Sequence, residues 1–260
     1  MPALFDGKEV TLGGWCSIPG TFSAELMGRS GFDWVCLDMQ HGLIGYDQLV
    51  PMLQAVSATG TTPIVRVPWN APDHIMKALD AGASGIIVPM INSAEEAKRA
   101  VDWAKYPPHG SRSWGPTRAS LVLSGYRADR ANAATHLIAM IETPDGVRNQ
   151  DEIMQVEGVD AIYVGPSDLA LGHGLEPGGG VPEGSEHERL VLTILEGCKR
   201  NGVLPGIHTD GPKTAQRWID AGYKMLTIGT DGAMLRAEAT SRLRALRGDD
   251  AATPKAGQYA

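Results

Sequence analysis

The sequence has no excess of positive charge. Its 260 residues include 23 lysines and arginines against 30 aspartates and glutamates, which gives a formal net charge of −7. Proteins that bind nucleic acids or anionic membranes present clustered basic side chains, because the phosphate groups they contact are negative. No such cluster stands out along the chain, so the composition argues against both kinds of partner.

Long apolar runs are also missing. No stretch approaches the roughly 20 apolar residues that span a bilayer, and residues 1–8 hold no apolar core of a secretion signal. The three cysteines, Cys16, Cys36 and Cys198, are odd in number and lack the spacing of a zinc site. We therefore expect reduced thiols and a cytoplasmic enzyme.

Two glycine motifs that bind phosphate groups are absent. No G-x-G-x-x-G opens a helix after the first strand, which leaves a dinucleotide-binding fold without support. The glycine-rich segment 172–187 lacks the Gly-Lys-Ser/Thr ending of a phosphate loop, so we expect a flexible lid or a surface loop there. Segment 106–120 is predicted to be a second long loop, and loops of that length are often functional.

The chain does contain a regular alternation of strand-like and helix-like segments. Apolar, β-rich runs occupy 12–18, 33–38, 62–67, 85–90, 136–141, 159–164, 203–207 and 224–228. Helix-like segments include 21–30, 46–58, 71–81, 93–105, 143–156, 186–201, 211–221 and 231–246. Continuously apolar strands are typical of parallel sheets that are covered on both faces. Eight such units predict an α/β fold, a single (β/α)₈ TIM barrel over residues 1–260, with a frayed tail at 248–260.

Acidic residues end two of the predicted strands. Glu142 follows the apolar run 139–141, and Asp168 follows the run 162–164 in the turn Gly165-Pro166-Ser167-Asp168. The C-terminal strand ends of such barrels carry the chemistry, and two carboxylates there could hold one divalent cation. Either residue could instead cap a helix. Their matched contexts favour the metal site.

Four further residues are candidates for the same cleft. His41 follows the second strand, and His208 follows the seventh, where it could line the pocket. Arg66, after the third strand, either pairs with a neighbouring carboxylate or receives an anionic substrate. Asp80 stands in an apolar helix end, where an acid is unfavourable without a partner. His41 is a candidate for that partner.

The chain resembles the HpcH/HpaI aldolases, which are metal-dependent class II pyruvate aldolases. The resemblance spans residues 10–245 and rests on these motifs in order: Asp38-x-x-His41, Arg66-x-Pro68-Trp69-Asn70, Val88-Pro89-Met90, Tyr106-Pro107-Pro108-x-Gly110-x-Arg112, Ile141-Glu142-Thr143 and Gly165-Pro166-Ser167-Asp168-Leu169. It implies a hexamer with active sites at subunit contacts. His208 departs from the family pattern, in which an aliphatic residue usually occupies this position.

The resemblance also implies roles for the candidate residues. Glu142 and Asp168 would hold a divalent metal, Mg²⁺, Mn²⁺ or Co²⁺, and pyruvate would bind it through its carboxylate and keto oxygens. Arg66 would stabilise the enolate oxygen, while His41 with Asp80 would handle protons. Trp15 also matches a pocket position of the family. From the residues themselves, Gly165, Pro166 and Ser167 are expected to bind substrate, because the backbone N–H groups of the Gly165–Asp168 turn suit its carboxylate, and His208 is expected to line the pocket.

The predicted reaction is the reversible cleavage of a 4-hydroxy-2-oxoacid to pyruvate, or hydroxypyruvate, and an aldehyde. A cation and a guanidinium suit this chemistry, because negative charge develops on the C2 oxygen. A Schiff-base aldolase would need a lysine in the cleft, and no lysine follows the C-terminal end of a predicted strand. The alternatives are a CoA-thioester lyase of the citrate-lyase branch, a phosphoenolpyruvate-handling barrel and a non-catalytic binding module.

Overall fold

Eight parallel strands close into a barrel in chain order, each strand pairing with its neighbours in sequence and β8 pairing with β1. The computed structural model describes residues 8–178 and 180–247. The strands are β1 Thr11–Cys16, β2 Trp34–Asp38, β3 Thr62–Arg66, β4 Gly85–Val88, β5 His136–Ile141, β6 Ala161–Val164, β7 Leu204–Ile207 and β8 Met225–Thr230. The predicted (β/α)₈ barrel is confirmed, and the predicted frayed tail lies outside the described residues.

Helices connect the strands on the outside of the barrel. They are α1 Thr21–Arg29, α2 Tyr46–Thr59, α3 Pro72–Asp80, α4 Ala94–Ala104, α5 Ala119–Val122, α6 Ala128–Ala134, α7 Pro144–Arg148, α8 Gln150–Met154, α9 Pro166–Gly172, α10 Glu186–Asn201, α11 Pro212–Ala221 and α12 Asp231–Arg247. None of these described helices is long and apolar enough to cross a membrane.

Three differences from the predicted helices concern short elements. The segment 143–156, predicted as one helix, forms α7 and α8 with a break at Asn149. The helix α5, which begins inside the predicted loop 106–120, and the helix α6 after it were not predicted, because four and seven residues are too few to show a helical period. The seven-residue helix α9 was also missing from the predicted segments, although its start at the Gly165–Asp168 turn was expected.

The core has two layers because each strand is buried on both faces. Along β2, Trp34 and Cys36 belong to the cluster inside the barrel, whereas Val35 and Leu37 pack against the surrounding helices. A Cβ atom at Gly13 would come within 2.3 Å of the Trp34 ring, so glycine in β1 makes room for that indole. This burial on both faces explains why the strand sequences are continuously apolar.

Glycines with a left-handed backbone follow several of the helices. Gly31, Gly82, Gly158 and Gly222 have φ angles of 91°, 99°, 96° and 120°. Such a residue turns the chain out of the helix and toward the next strand. Because each connection brings the chain back to the same end of the barrel, the C-terminal ends of all eight strands lie together at the opposite end, where the candidate site lies.

Candidate active site

Glu142 directly follows β5 and is buried. Its Oε1 accepts a hydrogen bond of 2.9 Å from the backbone N–H of Met90, while Oε2 is buried without a hydrogen-bond partner among the described residues. Burial raises the pKa of the Glu142 carboxyl to about 7; the Asp168 charge adds to the shift, and the Met90 N–H and Arg66 oppose it. A buried acceptor without a partner is unfavourable, so Oε2 marks a place where a cation fits.

Gly165 makes the close approach of Glu142 possible. A Cβ atom at this position would lie 2.1 Å from Glu142 Oε2, so no other residue fits without displacing the carboxylate. Asp168, half-buried in the first turn of α9, supplies the second carboxylate. Two oxygen ligands from the protein suit a hard divalent cation that keeps other positions for water or substrate. The residues present therefore fit the predicted metal.

Larger ligand sets are not available in the part of the chain that the structure describes. No group of three or more His, Cys, Asp or Glu side chains is placed to hold a metal ion there. Structural zinc sites use four such ligands, usually cysteine and histidine. A cation at Glu142 and Asp168 would accordingly remain open to solvent and substrate.

Arg66, at the end of β3, forms a two-point ion pair with Asp38 at the end of β2. Arg66 Nε and Nη2 donate to Asp38 Oδ1 and Oδ2 at 2.8 and 2.6 Å, and the Trp15 indole N–H donates to Oδ2 at 3.2 Å. Burial opposes ionisation of Asp38, but the hydrogen bonds and charge of Arg66 outweigh it and lower the pKa of that carboxyl. The two bonds leave Arg66 Nη1 outside the pair.

Trp15 and His208 lie beside this pair. The Trp15 indole is 1% exposed and lies 4.9 Å, centroid to Cζ, from the Arg66 guanidinium. The half-buried His208 ring meets Trp15 edge-on at 4.8 Å. Burial and the Arg66 charge lower the pKa of His208 to about 4, against weaker opposing effects of Asp38 and Asp210. His208 is therefore neutral at physiological pH.

The structure does not bring His41 and Asp80 together within the chain. His41 is exposed in the loop after β2, at the C-terminal ends of the strands. Asp80 is the last residue of α3, which runs back toward the start of β4, and its Oδ1 accepts a 2.5 Å bond from Arg112 Nη2. Among the described residues the partner of Asp80 is thus Arg112, not the predicted His41. Burial raises the pKa of Asp80, and Arg112 opposes that shift.

Sequence reasoning missed three residues of this region. Asp38 carries the same signal as Glu142, an acid that ends a buried strand, and could have been found by it. Arg112 was quoted within a motif but was not assigned as a partner. Met90 holds Glu142 through its backbone, so its side-chain type gives no signal.

A family model described as "HpcH/HpaI aldolase/citrate lyase" matches residues 15–237. The chain belongs to this family. The predicted family is thereby confirmed, and together with the aldolases named among its relatives so is the predicted aldolase function; the family's aldolases are generally metal-dependent.

Individual relatives agree with this assignment. The chain is 41% identical over 229 residues to a hydroxypyruvate/pyruvate aldolase of Rhizorhabdus wittichii, covering 88% of this chain and 90% of that protein. It is 32% identical over 251 residues to a 4-hydroxy-2-oxo-heptane-1,7-dioate aldolase of Escherichia coli, covering 95% and 94%. A solved HpcH/HpaI aldolase/citrate lyase family protein from Burkholderia cenocepacia superimposes with a TM-score of 0.87 at 31% identity, covering 94% and 97%.

Proposed function

We propose that the protein reversibly cleaves 4-hydroxy-2-oxoacids between C3 and C4, giving pyruvate or hydroxypyruvate and an aldehyde, and that Glu142 and Asp168 hold Mg²⁺, Mn²⁺ or Co²⁺. The observation that carries the proposal is the buried, unpartnered Oε2 of Glu142 against Gly165. A bound divalent cation supplies a Lewis acid that stabilises negative charge on the oxygens of a 2-oxoacid.

Arg66 provides the fixed positive charge of the site. Its guanidinium is locked by Asp38 and by packing on Trp15, so it does not reorganise when charge develops on the C2 oxygen. Trp15 would therefore position Arg66 through ring packing and through its N–H bond to Asp38. His208, as a neutral imidazole beside Trp15, would contact the substrate without adding charge.

The turn that begins α9 would receive the substrate carboxylate. Pro166 has no backbone N–H, so the donors of this turn are the amides of Ser167 and Asp168, while Gly165 keeps the backbone close to Glu142. Amides at a helix N-terminus are oriented toward an anion and favour it electrostatically. The substrate carboxylate would therefore bind beside the metal ligands.

His41 is the proposed acceptor of the C4 hydroxyl proton, oriented by Asp80. Because the chain's own topology separates the two residues, this pair would form where copies of the chain meet, as expected for a hexamer with active sites at subunit contacts. Exposed apolar side chains lie near both residues: Leu43, 79% exposed, follows His41, and Trp114, 62% exposed, lies in the Arg112 loop. Burial of such side chains favours association.

Metal removal tests the proposal. After exhaustive chelation, confirmed by elemental analysis, we expect cleavage of 4-hydroxy-2-oxoacids to stop and to return when Mn²⁺ is added. We also expect no adduct between the protein and pyruvate after borohydride treatment, because no lysine is assigned to the site. Full turnover of the metal-free protein, or a lysine modified by reductive trapping, would contradict the proposed mechanism.

The CoA-thioester alternative is less well supported. A CoA ligand needs a basic groove for its nucleotide phosphates, whereas Arg66 and Arg112 are buried and each bound to one aspartate, so neither contributes to such a groove at the surface. We expect acyl-CoA thioesters neither to be cleaved nor to compete with pyruvate. A direct kinetic comparison of the two substrate classes distinguishes these functions.

A further inference from the structure

Met90 has an unusual backbone conformation beside the proposed metal ligand. It lies two residues after β4, and its φ angle of 57° is the only positive value for a non-glycine residue in the described part of the chain. Such conformations are unfavourable for side chains with a Cβ atom and persist where the surroundings hold them. At Met90 the conformation has a visible consequence, because the N–H of this residue donates to Glu142 Oε1 at 2.9 Å.

Asn92 binds the backbone of Met90 directly. Its Nδ2 donates to the Met90 carbonyl oxygen at 2.9 Å, and its Oδ1 accepts a hydrogen bond from the hydroxyl of Thr143, the residue after Glu142. One amide side chain therefore links the residue that binds Glu142 to the residue that follows it in the chain. The link joins the loop after β4 to the end of β5.

The backbone of Asn92 is itself fixed on both sides. Its N–H donates to Glu96 Oε2 at 2.7 Å, and its carbonyl oxygen accepts a bond of 2.7 Å from Asn149 Nδ2. Glu96 lies in the first turn of α4, and Asn149 lies between α7 and α8. The Asn92 amide is consequently anchored to elements that do not enter the cleft.

We propose that Asn92 is a positioning residue for the Glu142 carboxylate. It fixes the Met90 N–H on Oε1, and it thereby leaves Oε2, the oxygen against Gly165, as the one that binds the cation. The inference rests on the proposed function of Glu142 as a metal ligand. Asn92 itself contacts neither metal nor substrate, and residues that orient metal ligands in this way typically change metal affinity by about 10–100-fold when mutated.

Calorimetric titration of the metal-free protein with Mn²⁺ tests the inference. Asn92→Ala should weaken Mn²⁺ binding about 10–100-fold. The matched control is Asn201→Ala, which also removes a side-chain amide that donates to a backbone carbonyl. Asn201 ends α10 and lies away from the C-terminal ends of the strands. The Mn²⁺ affinity of this control should equal that of the wild type. If Asn92→Ala does not fold, the milder Asn92→Ser takes its place, with the same direction of change.

A second substitution separates positioning from general stabilisation. Glycine adopts positive φ without steric cost, so adding Met90→Gly to Asn92→Ala should return the N–H to Glu142 and recover much of the lost Mn²⁺ affinity. A purely structural Asn92 would show no such recovery, and that result overturns the inference, as does wild-type affinity in Asn92→Ala.

Glu142→Gln distinguishes failure of this inference from failure of the proposed function. We expect Glu142→Gln to lose Mn²⁺ binding. If it does so while Asn92→Ala binds normally, the positioning role is wrong and the metal site stands. If Glu142→Gln binds Mn²⁺ like the wild type, Glu142 is not a ligand, and both ideas fail together.

Discussion

Two aspartate–arginine pairs in this molecule each hold a buried arginine, but they differ in the number of hydrogen bonds and in the burial of the aspartate. Asp38 and Arg66 end adjacent strands inside the barrel, are both buried and share two hydrogen bonds. Asp80 and Arg112 link the end of α3 to a loop, and only one hydrogen bond joins them while Asp80 is half-buried. Position in the barrel therefore decides how rigid each pair is.

The pairs also differ in the direction of their pKa shifts. Burial raises the pKa of both carboxyls, but two charge-assisted bonds from Arg66 reverse the shift for Asp38, whereas one bond from Arg112 does not reverse it for Asp80. Two-point pairing is stronger and more specific than a single bond. The comparison indicates that the first pair is a fixed part of the site, whereas the second keeps an oxygen for another partner.

Replacement of each aspartate by alanine should give the largest difference between the two pairs, measured as the loss in the free energy of unfolding. Asp38→Ala leaves the Arg66 charge buried and unpaired and removes the acceptor of the Trp15 N–H, so we expect a loss of about 3–5 kcal/mol in the free energy of unfolding. Asp80→Ala also leaves a buried guanidinium without its carboxylate, but Asp80 itself is half-buried and accepts only one bond, so we expect a smaller loss of about 1–3 kcal/mol. Urea unfolding measures both, and equal losses would show that the two pairs are equivalent.

Exchange of each arginine for lysine tests geometry at constant charge. Arg66→Lys cannot make two fixed bonds to Asp38, so we expect kcat/KM for aldol cleavage to fall by about 10²–10³-fold. Arg112→Lys is the control and should retain most activity, since a single bond is within reach of an ammonium group. Near-normal cleavage by Arg66→Lys would make Arg66 a structural residue.

The proton-handling pair is tested by mixing inactive variants. His41→Ala should lose cleavage by about 10²-fold while keeping Mn²⁺ binding, and Asp80→Asn should reduce kcat more than metal affinity. If the pair forms between copies of the chain, mixed oligomers of the two variants contain some intact sites, and activity should return on mixing. Mixing without recovery would mean that the pair forms within one chain or that Asp80 serves Arg112 alone.

The stability contributed by His208 reports how far burial, and then the Arg66 charge, favours its neutral form. Its pKa of about 4 in the folded protein lies below the usual value near 6.5, so as pH falls through this window the unfolded chain takes up a proton that the folded one does not. Stability from this residue is present above pH 6.5 and is lost toward pH 4. When the pH falls from 7.5 to 5, the free energy of unfolding of the wild type should decrease by about 1–2 kcal/mol more than that of His208→Phe. Identical losses would show that the fold does not lower the pKa of His208.

The strand ends were predictable because local sequence encodes them. A buried parallel strand reads as an apolar run, so an acid that ends one, such as Glu142, is visible without a structure. The fold followed from the eightfold repetition of such units. The order of strands in the barrel then placed Glu142 and Asp168 at the same end.

The partners of the other residues were not predictable in this way. Arg112 lies 32 residues from Asp80, and only the course of the long loop brings them together. Asp80 seemed to need His41 because the sequence does not show that α3 carries it away from the strand ends. The positive φ angle of Met90 accompanies backbone hydrogen bonds with Glu142 and Asn92, so the identity of the methionine side chain does not predict it.

Exchange of the methyl protons of pyruvate into deuterated water tests the central claim most directly, because it reports enolate formation without any aldehyde. We expect NMR to show exchange by the Mn²⁺-loaded wild type and none after chelation or in Glu142→Gln. Exchange by the metal-free protein, or by Glu142→Gln at wild-type rate, would contradict a site in which Glu142 holds the catalytic metal.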